Sequence, residues 1–348
     1  MQMETSNLSE QFNNSFTEGD NTTSQLIELN EKFKICAGVM YGIIFVLGSI
    51  GNFMFTYIVI STQSTAHQNE AEDMFGWNAI KSVTNYFLVN LSVADFLISF
   101  TCIPIQVTIL FLGYYPYGKG TCLLFSFIQP TAVCASSFTL VIVSLDRYMT
   151  IMHPLRQRMK KPKGVLCIIW LISGVVSIPD VVMIQYTETG PGRYQCHKPN
   201  IMPAFDVVML VFVYILPVLV MLYTYSMMAL TIWRKREIGE VQSSQLVTRK
   251  NQMLRSKKKM VKMLIVVVSL YTVCYFPINI LWLVLSQLNL SQAQFAYIFT
   301  LFHCFALFHT IFNPIIYFWM NRKIRQRFLF ISFFLDQTTI SLYIIVSR

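Results

Sequence analysis

Long apolar runs alternate along this chain with short polar, basic or turn-rich breaks. Seven runs, at about 35–60, 84–111, 121–152, 164–184, 203–233, 256–285 and 292–320, each reach or exceed the ~20 residues that a helix needs to cross a hydrocarbon core of about 30 Å. Backbone groups inside lipid must be satisfied within the chain, so each run is predicted as a helix. The predicted fold class is an all-α membrane protein, a seven-transmembrane helix bundle. Residues 35–320 form the bundle, 1–34 an outer tail, and 321–348 a short amphipathic eighth helix (NRKIRQRF) with an apolar inner tail expected to lie in the interface. An odd number of crossings places the termini on opposite sides.

Composition agrees with lipid as the solvent. The chain is 54% hydrophobic and 13% charged, against the roughly 25% charge of a soluble domain. Charge then sets the orientation. With the N-terminus outside, 22 of the 27 Lys and Arg fall on the inner side, and Lys32, Lys34, Lys119, Arg193 and Lys198 remain outside, a strong positive-inside pattern. The net charge of +10 is therefore topological, and nucleic-acid binding is excluded as its explanation. Residues 1–34 lack the charged and apolar regions of a cleavable leader. They carry three glycosylation triplets, beginning at Asn7, Asn13 and Asn21, placed outside by the independent charge count. An acidic cluster in the first inner loop, Glu70, Glu72 and Asp73, has no functional account.

Polar residues inside apolar runs point to chemistry, because charge near lipid is costly unless it faces a bundle interior. In the third run Gln129, Ser136 and Arg147 stand 7 and 11 residues apart, on one helical face. From Cys122 to Arg147 that helix would rise about 37 Å, joining the two compartments. Asp95 lies about three turns into the second run, where a lone carboxylate protonates or takes a cation. Six of eight cysteines lie within runs and are expected to pack as small apolar residues. Cys122 and Cys196 face the oxidising side and are expected to form a disulfide pinning the loop over the bundle mouth. Pro179, Pro217, Pro277 and Pro314 interrupt later runs and supply points of bending.

Taken together, Gly51-Asn52, Asn90-Leu-Ser-Val-Ala-Asp95, Cys122, Asp146-Arg147-Tyr148, Trp170, Cys196, Pro217 with Tyr225, Cys274-Tyr-Phe-Pro277 and Asn313-Pro-Ile-Ile-Tyr317 resemble the rhodopsin-like (class A) G-protein-coupled receptors over about 35–330. The segments DRYMTIMHPLRQRM and HCFALFHTIFNPIIYFWMN are similar to receptors of the neuropeptide Y, luqin/RYamide and tachykinin groups.

This resemblance implies a plasma-membrane receptor for an extracellular neuropeptide, coupled to a heterotrimeric G protein and to arrestin. It implies a ligand pocket lined by Gln106, Gln129, Asp206, Tyr275, Trp282 and His303. The switch and coupling residues would be Asp146, Arg147, Tyr148, Tyr225, Tyr271, Pro277, Asn313, Pro314 and Tyr317. Asp95, Ser136 and Asn313 would hold an allosteric sodium ion, with His309 beside them. Gln129 and His303 are neutral hydrogen-bonding groups suited to peptide amides, and the bland alternative for each is a bond between helices. The chain departs from the pattern at Tyr275 (usually tryptophan), at Tyr271 (usually phenylalanine) and at Lys257, where some relatives carry an acid, so restraint on Arg147 is expected from Asp146. Amine receptors carry an aspartate in place of Gln129; an amine or lipid ligand is the alternative. A transporter would need internal repeats, and an enzyme a metal or nucleophile cluster that the five histidines do not supply. The chain is therefore read as no enzyme.

Overall fold

The computed structural model describes residues 30–68, 83–153, 161–198, 203–237, 245–284, 290–320 and 325–326. Asn7, Asn13, Asn21, the acidic cluster of the first inner loop and most of the expected eighth helix lie outside the described residues. Among the described residues, seven helices are long and apolar enough to span a membrane: Glu31–Ser61, Asn85–Leu112, Gly118–Met152, Pro162–Met183, Phe205–Thr231, Val261–Val284 and Ala293–Trp319. They match the seven apolar runs to within a few residues. On the fourth span Leu171, Val175, Ile178 and Val182 recur at helical spacing and are all exposed, the expected lipid-facing stripe.

The helix ends follow local chemistry. Gly113 closes the second span at φ 74, a left-handed cap that glycine adopts without strain. Ser291 opens the seventh with a reciprocal capping box to Gln294. Two π-helical turns interrupt the second and fifth spans, at Ile98–Cys102 and Leu210–Ile215, and no hydrophobic period announces them.

Small residues let the first span approach its neighbours. A Cβ on Gly48 would meet Ser99 Oγ at 2.6 Å, and one on Gly51 would meet the Pro314 ring at 2.9 Å. The third span runs through the middle of the bundle, with buried residues from Cys122 to Arg147. Asn90 ties three spans by donating to Thr139 Oγ1 at 2.8 Å and accepting from Trp170 Nε1 at 2.7 Å.

Each of two prolines leaves a carbonyl that a neighbouring span serves. Pro217 cannot donate to Val213 O, and Ser137 Oγ donates there at 2.8 Å. Pro314 leaves Thr310 O to Asn52 Nδ2, also at 2.8 Å. Just before the Pro277 turn, Tyr214 Oη donates to Thr272 O at 2.8 Å. The kinks are thereby held by side chains of other helices.

On the outer side, strands β1 (Gln185–Gly190) and β2 (Arg193–His197) form an antiparallel hairpin. The expected Cys122–Cys196 disulfide is present, and Tyr115 N donates to Tyr194 O at 2.7 Å. The hairpin is thus fixed at two points to the bundle mouth.

Candidate ligand pocket and transducer site

In the outer half, Gln129 and His303 meet across the bundle, with nitrogens 3.2 Å apart. The amide nitrogen only donates, so His303 Nε2 accepts and Nδ1 carries the ring proton. That proton points at Tyr41 Oη, 2.9 Å away. The His303 ring also stacks on Phe299, centroids 5.3 Å apart. One polar layer therefore joins the first, third and seventh spans. The seventh-span histidine was expected at a pocket; its partner Tyr41 was not legible, because a tyrosine in an apolar run reads as core.

The other expected pocket residues separate. Gln106 is half-buried on the second span. Trp282 packs edge-on to Phe295 and Phe299 at 6.3 and 6.1 Å and is itself substantially exposed. Asp206 lies at the outer rim, where it accepts from Lys198 Nζ at 2.6 Å. Tyr275 is buried in a lower aromatic layer, its ring 4.8 Å from both Tyr271 and His309. The tyrosines at 271 and 275 thus couple to the Asp95 layer.

Asp95 is fully buried. It accepts from Ser136 Oγ at 3.2 Å and, through its other oxygen, from the Asn313 amide. His309 Nδ1 lies 2.7 Å from Ala306 O; a carbonyl only accepts, so Nδ1 bears the proton. His309 Nε2 has no hydrogen-bond partner among the described residues and sits 3.4 Å from Asp95 Oδ1. The Asp95 and Ser136 oxygens, with His309 Nε2 beside them, are the groups here that could hold a small cation.

At the inner mouth Arg147 is buried and pairs with Asp146 at 3.0 Å. Tyr148 packs against Tyr223, centroids 6.3 Å apart. The buried hydroxyls of Tyr225 and Tyr317 lack a hydrogen-bond partner among the described residues; Tyr317 packs on Phe55 at 4.7 Å.

A disulfide-roofed outer mouth, a carboxyl group buried at mid-depth and a restrained arginine at the inner end define a seven-helix membrane receptor. Residues 76–317 match the family 7 transmembrane receptor (rhodopsin family), and the chain belongs to it. It is a multi-pass protein of the plasma membrane. The RYamide receptor of Tribolium castaneum is 32% identical over 308 residues, covering 83% of this chain and 78% of that protein. The RYamide receptor of Drosophila melanogaster is 33% identical over 348 residues, covering 94% and 69%. The human substance-P receptor is 30% identical over 300 residues, covering 83% and 68%.

Proposed function

We propose that this receptor binds an extracellular neuropeptide of the RYamide kind and passes the event to a heterotrimeric G protein. The observation that carries the reading is the neutral layer of Gln129, His303 and Tyr41 beneath the pinned hairpin. It offers amide-matching donors and acceptors where an amine would require a carboxylate. The relatives named for RYamide and substance P support a peptide over an amine or lipid.

Transmission is a shift between two bundle shapes, driven by the peptide's differential affinity for them. The outward-moving inner ends of the third, fifth and sixth spans would release Arg147 from Asp146 and present it to the G protein. Arrestin would use the same opened face. Asp95 and Ser136, joined by His309 and by Asn313 after rotation of its amide, would hold a sodium ion; when bound, the ion supplies the positive charge that the buried carboxylate needs. Nucleotide exchange on membranes expressing the chain, stimulated by synthetic RYamide peptide, tests the reading. Failure of exchange at saturating peptide, with the receptor at the surface, rejects it.

A further inference from the structure

Two adjacent residues of the fifth span serve different neighbours. Val213 O accepts from Ser137 Oγ of the third span at 2.8 Å, and Tyr214 Oη donates to Thr272 O of the sixth, also at 2.8 Å. Both belong to the π-helical turn Leu210–Ile215, in which Tyr214 is buried.

The two bonds join different halves of the bent helices. The fifth span enters from outside, so Val213 and Tyr214 precede Pro217 on its outer half. The sixth runs the other way, and Thr272 precedes Pro277 on its inner half. A proline marks the point about which a helix bends, so the half-helices on its two sides can pivot against each other. When the inner half of the sixth span swings outward, Thr272 travels with it and Tyr214 stays behind. The Tyr214 bond therefore crosses the boundary between the moving part and the fixed part. Two other side-chain bonds of the sixth span turn back on their own helix, from Thr272 Oγ1 to Val268 O at 2.9 Å and from Asn279 Nδ2 to Tyr275 O at 2.8 Å.

The bond is made while Arg147 is still paired with Asp146 at 3.0 Å, so it belongs to the resting bundle. We propose that the Tyr214 hydroxyl is a positioning latch for coupling: it holds the inner half of the sixth span to the outer half of the fifth and lets go as the bundle opens. No bulk water is at hand at this depth to replace a lost partner, so opening must meet the cost of the broken bond. A contact made in one state alone biases the equilibrium by its own free energy. The inference rests on the G-protein coupling proposed above, and one arm of its test needs no G protein.

The test uses the full-length receptor in membranes, tagged for surface level, with Tyr214→Phe removing the hydroxyl and keeping the ring. Nucleotide exchange without peptide should rise about three- to tenfold, the range of one neutral hydrogen bond. Synthetic RYamide peptide should gain potency by a similar factor, because the competent fraction sets apparent affinity. Trp170→Phe is the control. It removes the bond from Trp170 Nε1 to Asn90 Oδ1 at 2.7 Å, between the fourth and second spans, and should leave basal exchange unchanged. Spin labels at Lys161→Cys and Lys262→Cys, with the exposed Cys36 and Cys167 replaced by serine, read the inner mouth directly; Tyr214→Phe should add a longer-distance population. A distance distribution identical to that of the unsubstituted receptor overturns the latch. So does an equal rise of basal exchange in Trp170→Phe, which would mean general loosening. A longer distance with no exchange from any variant, peptide included, supports the latch and rejects the coupling reading.

Discussion

Gln129 is a half-buried amide whose nitrogen satisfies His303, and its removal leaves an imidazole lone pair without its donor. Leaving one buried partner unpaired costs about 1–3 kcal/mol. If Gln129 exchanges this partner for a peptide amide on binding, Gln129→Ala should weaken peptide potency by roughly tenfold to hundredfold at an unchanged surface level. An unaltered dose–response would assign the pair to structure instead. Arg147 differs in kind. It lies at the inner mouth, paired with Asp146 at 3.0 Å, on the far side of the Asp95 layer from the Gln129–His303 pair. Arg147→Ala should keep peptide binding in a radioligand assay and lose nucleotide exchange; loss of binding in a correctly folded variant would count against this placement.

At the scale of the helices, the bends are cross-linked through carbonyls that proline cannot serve. Ser137 on the third span holds Val213 O ahead of Pro217, and Asn52 on the first holds Thr310 O ahead of Pro314. If these bonds keep the kinks in register, removing the donor leaves a buried carbonyl unsatisfied in a medium without water. Ser137→Ala should destabilise the detergent-solubilised receptor by about 1–2 kcal/mol, read as a lowered melting temperature, whereas Ser136→Ala, on a different partner, should spare the fifth span. An unshifted melt for Ser137→Ala refutes the stitch. The prolines were legible in the sequence as bending points because their ring and missing donor act locally. Their partners were not, since Ser137 and Asn52 are named by packing between helices and not by any period along one. The π-helical turns at Ile98–Cys102 and Leu210–Ile215 escaped for the same reason: one inserted residue shifts a face without altering which residues are apolar.

Across the whole molecule, the features written in length and charge were the readable ones. Seven apolar lengths placed the spans, the asymmetry of Lys and Arg oriented them, and two cysteines on the oxidising side gave the disulfide. The Tyr41 contact and the Lys198–Asp206 bond depend on where distant segments meet, which the pattern of one chain does not encode. Between the outer and inner ends lies the Asp95 layer. Asp95 is fully buried, flanked by Ser136, Asn313 and His309 Nε2, and packed beneath Tyr271 and Tyr275 through His309. A cation held there in the resting bundle would bias the whole equilibrium, and by reciprocity the peptide and the ion must weaken each other's binding. Agonist affinity in membranes should therefore fall as sodium replaces an inert cation at constant ionic strength. Asp95→Asn keeps the shape and removes the charge, so it should abolish that dependence while the receptor still reaches the surface. Equal sodium sensitivity in wild type and variant would show that the carboxylate is neutralised by a proton and that the ion site does not exist.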